Sequence, residues 1–265
     1  MLKLTGITKT FFPGTPNEHT ALRGVDLHLM PGEFVTVVGS NGAGKSTLFN
    51  AIAGSFFCEE GTILLEGRDI TYTTEYKRAR EITRIFQDPM RGTAPGLTIE
   101  ENLALAYSKS MQRHWFSPAL SRKNIQRFRE ELAKLDMGLE DRMKVKIGLL
   151  SGGQRQAVTL LMSTLVTPKV LLLDEHTAAL DPLTAEKILA LTREIAAQQG
   201  ITTMMITHNI ASALSMGTRT IMLEQGQIVL DLRGEERGKL SVADFMALYR
   251  EKCHRELDND RMLLV

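Results

Sequence analysis

The segment Gly39-Ser40-Asn41-Gly42-Ala43-Gly44-Lys45-Ser46-Thr47 constrains this chain more than any other. It meets the pattern GxxxxGK[ST], and it lies between a β-rich run, Phe34–Gly39, and a helical one. Glycines let the backbone bend closely around phosphate oxygens, so that successive N–H groups point inward. The helix that follows adds the partial positive charge of its N-terminus. Lys45 is then placed to neutralise β- and γ-phosphate charge, and the Ser46 hydroxyl to ligate Mg²⁺. A loop of this kind does not separate kinases, GTPases, helicases and transport ATPases, so its downstream partners must decide.

Around this loop, short β-rich runs alternate with helical patterns, which favours a mostly parallel sheet covered by helices. Val170–Asp174 (VLLLD) reads as a second buried strand, and Ile201–Thr207 as a third that leads directly into His208. Between them Asp181 is suited to cap a helix, Pro182 to open it, and Ile188, Leu191 and Ile195 to line it, with Gly200 as the stop. Residues 1–35 and 61–72 hold short alternating strands with turn signals such as Glu66-Gly67, which predicts an antiparallel edge sheet. Ile221–Leu232 reads as a hairpin turning at Gln225-Gly226.

Residues about 97–148 differ in character. They are helical in pattern, with an apolar stripe of Ile125, Phe128, Leu132 and Leu135 and no strong strand signal. The expectation is one domain over residues 1–265. It comprises an α/β phosphate-loop core with a mostly parallel sheet, an antiparallel edge β-subdomain, an inserted helical subdomain and a short C-terminal extension from about 236.

Composition narrows the function classes. The formal net charge is +1, so no strong field draws the chain to nucleic acid or anionic lipid, and no nucleic-acid partner is expected. No run approaches the ~20 apolar residues that span a bilayer. The opening MLKLTGITKTFF lacks the pattern of a secretion signal. Two cysteines, Cys58 and Cys253, lie far apart without metal-ligand spacing, which fits a reducing cytosol.

The run Val170–Asp174 ends in two carboxylates, Asp174 and Glu175. A parallel sheet delivers such strand ends to the crevice that also holds the phosphate loop. Asp174 is suited to hold Mg²⁺, and Glu175 to orient or deprotonate an attacking water. His208 ends the next strand at the same edge, within reach of a γ-phosphate or bound water. Gln87, after the strand TRIF, offers an uncharged amide to Mg²⁺ or water.

Leu150-Ser151-Gly152-Gly153-Gln154-Arg155-Gln156 opens a further helix, which Ser151 is suited to cap. Two glycines and a serine at a helix start make a second anion site. Taken in this order, the motifs resemble those of the ATP-binding-cassette (ABC) transporter ATPases, over roughly residues 1–235. The resemblance implies that Phe11 stacks on adenine and that Gln87 links the site to a membrane partner. It implies that Ser151, Gly152, Gly153 and Gln154 contact the γ-phosphate of ATP held by a second subunit. Asp174 and Glu175 take the metal and base roles, Asp181 lies in a loop crossing the dimer interface, and His208 is the switch histidine. Two copies would then sandwich two MgATP and drive a separate permease from the cytoplasmic face of the membrane.

Two features depart from the family pattern. His176 follows Glu175 where many members carry proline, and AVTLLMSTLVTPK lacks the common ARAL pattern. The combined text, including IFQDPMRGTAPGLTIEENLALAY, is similar to bacterial tryptophan/tyrosine-type uptake cassettes, which act with one permease and an extracellular or periplasmic binding protein. An amino-acid importer is the resulting expectation, with an exporter cassette or a soluble, non-transport ABC ATPase as alternatives. Asp88–Leu97 and the helical insert form the expected permease-docking side, whereas Trp115 and Phe116 are expected to pack the small helical subdomain. Arg113, His114, Arg122, Lys123, Arg127 and Arg129 read as a solvated face.

Overall fold

The computed structural model describes residues 1–108 and 120–253, so Arg113, His114, Trp115 and Phe116 lie outside the described residues. At its centre is a six-stranded sheet built on runs too apolar to face water on either side. It contains β3 (Phe34–Val38), β6 (Ile82–Ile85), β7 (Val170–Asp174), β8 (Thr202–Ile206), β9 (Arg219–Glu224) and β10 (Gln227–Arg233), where β1, β2, β4 and β5 form a second sheet. Every residue of β3, β7 and β8 is buried. The spatial order is β10-β9-β3-β8-β7-β6, parallel throughout except for the β9–β10 hairpin. The segments carrying Gly39, Gln87, Glu175 and His208 therefore leave the sheet at one carboxyl edge.

Helices cover this sheet. The phosphate loop runs from β3 into α1 (Lys45–Ala53), and the short α2 (Glu75–Arg78) precedes β6. The two long crossovers are α5 (Gly152–Thr164), before β7, and α6 (Pro182–Gln199), between β7 and β8; α3 and α4 belong to the insert described below. Asp181 Oδ1 accepts from the Thr184 amide at 3.0 Å and caps α6, while Gly200 ends it at φ 62°. Those signals were legible because each cap depends on one residue rather than on tertiary context.

The second sheet is antiparallel, with order β2-β1-β4-β5 over β1 (Leu2–Phe11), β2 (His19–Leu29), β4 (Glu60–Leu65) and β5 (Arg68–Asp69). β1 and β2 are longer than the short strands expected, at 10 and 11 residues. Their alternation is broken by register shifts around Ile7 and Lys9, which hides the length from a period-of-two reading. The edge sheet also stops at Leu29 rather than at 35, since Phe34 and Val35 belong to β3. Glu66-Gly67 and Gln225-Gly226 both turn with two positive φ angles, 50° and 78° in one and 47° and 79° in the other. That is the turn geometry whose twist suits a two-residue hairpin. Buried Arg219 stitches the sheets, donating to Asp231 on β10 at 2.6 Å and to the His28 carbonyl on β2 at 2.7 Å.

The helical insert contains α3 (Ile99–Ser108) and α4 (Arg122–Ala133), with Leu103, Phe128, Leu132 and Leu135 buried between them. Its core does not stop at 148. Ala157, Val158 and Leu161 of α5 and Ile188 of α6 pack into the same cluster. The two ends of the insert are clasped where no strand was expected, by an antiparallel bridge between Thr98 and Lys146. Ile99 donates to the Val145 carbonyl and Ile147 to that of Leu97, both at 3.0 Å. At the far end, α7 (Ile210–Ser215), α8 (Gly234–Gly238) and α9 (Val242–Cys253) follow, and Phe245, Met246 and Tyr249 cover the apolar face of the hairpin. No described helix is long and apolar enough to cross a membrane.

Candidate active site

The phosphate loop is held by crowding that only glycine tolerates. A Cβ on Gly39, at φ 150°, would lie 2.1 Å from the Leu223 carbonyl oxygen, and one on Gly44, at φ 103°, would lie 2.4 Å from that of Ala21. The β9–β10 hairpin and β2 thus press on the loop backbone from outside. Gly226 donates its amide to the Ala43 carbonyl at 3.0 Å, and the Ser40 hydroxyl donates to Glu224 Oε2 at 2.7 Å. Asn41, Gly42 and Ser46 face solvent, and Thr47 is half-buried.

Lys45 is buried, 6% exposed, with Nζ donating to the carbonyls of Gly39 at 2.8 Å and Ser40 at 2.9 Å. Burial lowers its pKa, while Glu175, Glu224 and Asp174 oppose that shift. A buried ammonium facing three carboxylates at a glycine-rich loop fits a polyphosphate, whose own negative charge takes the place of the carbonyl partners. Among the described residues, no group of three or more acidic, histidine or cysteine side chains is arranged to hold a metal alone. Mg²⁺ commonly takes one or two protein oxygens and completes its shell with phosphate and water. The exposed Ser46 hydroxyl and the Asp174 carboxylate are the protein oxygens available.

Asp174 is nearly buried and is already paired. Arg84 Nη2, from β6, lies 2.5 Å from its Oδ2, and Arg84 Nη1 donates to Asn50 Oδ1 on α1. Glu175 follows with φ 48°, a left-handed conformation that a non-glycine residue adopts at a cost of about 1 kcal/mol or more. The strained backbone turns the carboxylate toward His208, whose Nε2 is 2.6 Å from Glu175 Oε1. The Glu175 amide is tied to β8 through the Ile206 carbonyl at 3.1 Å. His176, the residue in place of the common proline, is buried, and burial alone pushes its pKa down to about 4. Thr192 Oγ1 donates to the Ile188 carbonyl at 2.7 Å, so at 3.2 Å it accepts from His176 Nε2, which fixes the neutral tautomer.

The other expected residues are placed as follows. Phe11 ends β1, half-buried, its ring edge-to-face with that of Phe56 at 5.6 Å. Phe12 beside it is 67% exposed at φ 52°. Gln87 is exposed just past β6. Ser151 and Gln154 form a reciprocal capping box at the start of α5, both bonds 3.3 Å, and Gly153 leaves room for Thr184. Leu150 and Ala157, which bracket this segment, belong to the helical cluster, whereas Ala43 of the phosphate loop and the apolar face of α1 lie in the cluster between the two sheets. Asp181 is exposed and engaged as a helix cap. Arg84, Asn50 and Glu224 were missed. The one available signal was an arginine between the apolar residues Ile82, Ile85 and Phe86, a charge that requires an internal partner.

The ABC transporter family model matches residues 22–178, more than half of the chain. This chain belongs to the ABC transporter family. A tyrosine transport ATP-binding protein of Clostridioides difficile is 41% identical over 93% of the cassette and 97% of its own length. An aliphatic sulfonates import ATP-binding protein of Agrobacterium fabrum is 33% identical over 87% and 79%. Among solved structures, an ATP-binding cassette in a dimeric, post-hydrolysis state bound to ADP and Pi has a TM-score of 0.75 and 30% identity, covering 88% of this chain and 98% of that one. The cassette is therefore an ATP-binding ATPase with the phosphate-loop NTPase fold. The matched segment contains the phosphate loop, Gln87, Ser151–Gln154, Asp174 and Glu175, whereas Phe11, Asp181 and His208 fall outside it.

Proposed function

We propose that two copies of this cassette close head-to-tail around two MgATP and that this closure drives a separate transmembrane permease, importing a small solute such as an amino acid. One observation carries the pairing: Ala43 of the phosphate loop and the residues bracketing Ser151–Gln154, Leu150 and Ala157, pack in separate hydrophobic clusters of one chain. A site that needs both is then assembled from two chains. Leu149 and Leu183, which flank the capping segments of α5 and α6, are 74% and 78% exposed and gain from burial against a partner. ATP bridging two bodies tightens the pair, and loss of the γ-phosphate releases it.

In this reading Lys45 and the loop amides hold the phosphates, and Phe11 stacks on adenine. Ser46, Asp174 and Gln87 serve Mg²⁺, which supplies charge neutralisation at the β- and γ-phosphates. Glu175 accepts the proton of the attacking water while His208 holds its carboxylate in place. Asp181 lies at the interface between the copies. Relatives named for tyrosine transport, sulfonate import and methionine import support an uptake role. A groove of about 500 Å³ lined by Phe86, the residue before Gln87, and by Arg91, Leu105 and Met162 suits a cytoplasmic helix of the permease. The cassette then sits peripherally at the cytoplasmic face, and a solute-binding protein acts only through the permease.

Light scattering on the Glu175→Gln cassette tests the pairing. With ATP and Mg²⁺ its mass should double, and Ser151→Arg in the same background should prevent this while leaving ATP bound. A mass that stays monomeric at saturating ATP overturns the closure mechanism.

A further inference from the structure

Arg84 occupies a position that neither the phosphate loop nor the catalytic pair explains. Its side chain is 12% exposed and ends between the Asp174 carboxylate, 2.5 Å away, and Asn50 on the helix that follows the phosphate loop. Its guanidinium lies over the ring of Phe86, 4.9 Å from the centroid, and Arg91 stands over the same ring at 6.0 Å. The third guanidinium nitrogen, Nε, is buried with no acceptor among the described residues. A buried donor left unpaired costs free energy that any incoming acceptor recovers. Arg84, Phe86 and Arg91 also line the groove of about 500 Å³. One side chain therefore touches the metal-site carboxylate, the phosphate-loop helix and the groove wall.

The consequences follow from charge. Arg84 and a divalent cation both seek Asp174, and a guanidinium hydrogen-bonded to the carboxylate lowers the negative potential that a metal would meet there. A groove occupant presenting a carbonyl or carboxylate to Nε satisfies the orphaned donor, and it does so best by drawing the guanidinium toward the groove. We propose that Arg84 is a positioning residue that restrains Asp174 from the metal, and that a partner helix seated in the groove relieves the restraint by engaging Arg84. The proposal rests on the MgATP and permease reading given above. It adds a specific path by which the groove reaches the metal site, through one arginine and one carboxylate.

Mn²⁺ affinity, measured by electron paramagnetic resonance on the ATP-loaded Glu175→Gln cassette, tests the restraint without relying on turnover. In that background Arg84→Gln should bind Mn²⁺ about tenfold more tightly, the scale of one hydrogen bond to a charged group. Arg84→Lys keeps a cation but cannot hold Asp174 and Asn50 together, so it should fall between the two. A structural role alone would weaken Mn²⁺ binding. Equal or weaker binding in Arg84→Gln overturns the restraint, and if that variant does not fold, equal or weaker binding in Arg84→Lys does the same. The measurement is then repeated on the cassette purified with its membrane subunits. Assembly should tighten Mn²⁺ binding by the parental cassette and leave Arg84→Gln unchanged; an equal gain in both overturns the link to the groove. If no ATP-dependent Mn²⁺ binds to any form, the nucleotide-site reading fails instead, and if no membrane subunit co-purifies, the permease reading fails while the isolated comparison stands.

Discussion

His208 places Nε2 2.6 Å from Oε1 of Glu175, across the adjacent parallel strands β8 and β7. The pair is held at both ends: Glu175 by its left-handed backbone and its amide bond to Ile206, His208 by its place two residues past β8, next to Thr207, whose amide donates to the Val37 carbonyl. Glu175→Gln should retain ATP binding and lower ATP turnover by about 10²–10⁴-fold, the usual worth of a positioned base. His208→Ala should lower turnover by roughly tenfold or more, since it frees the carboxylate to rotate. Because each substitution removes the other's partner, the double variant should be little worse than the poorer single one. Phosphate-release assays on the four forms decide this. Parental turnover in Glu175→Gln would show that the base lies elsewhere, and losses that multiply would show two independent roles.

The phosphate loop separates folding from binding. Gly39→Ala forces a Cβ to 2.1 Å from the Leu223 carbonyl oxygen, where backbone, not a flexible side chain, must yield. It should lower unfolding stability by about 1–3 kcal/mol even without nucleotide. Lys45→Ala introduces no clash, though it leaves the Gly39 and Ser40 carbonyls without their ammonium, so its thermal midpoint without ATP should fall less than that of Gly39→Ala while the upward shift on adding MgATP disappears. Thermal unfolding of both variants, with and without MgATP, distinguishes the two. A normal ATP-induced shift in Lys45→Ala would remove this lysine from the phosphate site.

Two adjacent phenylalanines are candidates for the proposed adenine contact. Phe11 is half-buried against Phe56, and Phe12 is exposed. If Phe11 stacks on the base, Phe11→Ala should weaken ATP by about 0.5–1.5 kcal/mol and leave inorganic triphosphate nearly unaffected. Phe12→Ala should change neither. Calorimetric titration with both ligands settles the choice: equal losses for ATP and triphosphate argue against stacking, and a loss confined to Phe12→Ala moves it one residue along.

What the sequence revealed and what it hid divide along the range of the interactions. The buried strands Val170–Asp174 and Phe34–Val38 were legible because continuous apolar runs permit few other fates, and the caps Asp181 and Ser151 because their partners lie three residues away. The partners of the site came from strands whose spatial order does not follow their order in the chain. Arg84 meets Asp174 only because β6 lies beside β7, and Ser40 meets Glu224 only because β9 lies beside β3. The Thr98–Lys146 clasp likewise joins residues with no alternation around them to mark a strand. The helical stripe around Phe128 was read correctly, yet its continuation into α5 depended on packing that periodicity does not report.

His176 turns its burial into a measurable pH dependence. In the folded cassette its pKa is pushed to about 4, from an ordinary 6.5, because no charge compensates its desolvation. Between those values the unfolded chain takes up a proton that the folded one refuses, so stability rises with pH in this window. The contribution is complete above pH 6.5 and is lost as pH falls toward 4. At pH 5 the loss attributable to this residue should be about 2 kcal/mol relative to pH 8. His176→Gln keeps an N–H for Thr192 Oγ1 and does not titrate, so its own decline over the same interval should be smaller by that amount. Other titrating groups act on both proteins alike and cancel in the comparison. Urea unfolding at pH 8 and pH 5 gives the answer. Parallel losses in the two proteins would mean that His176 either is protonated in the folded state or reaches water, and that the turn carrying Glu175 is not anchored to α6 through a neutral imidazole.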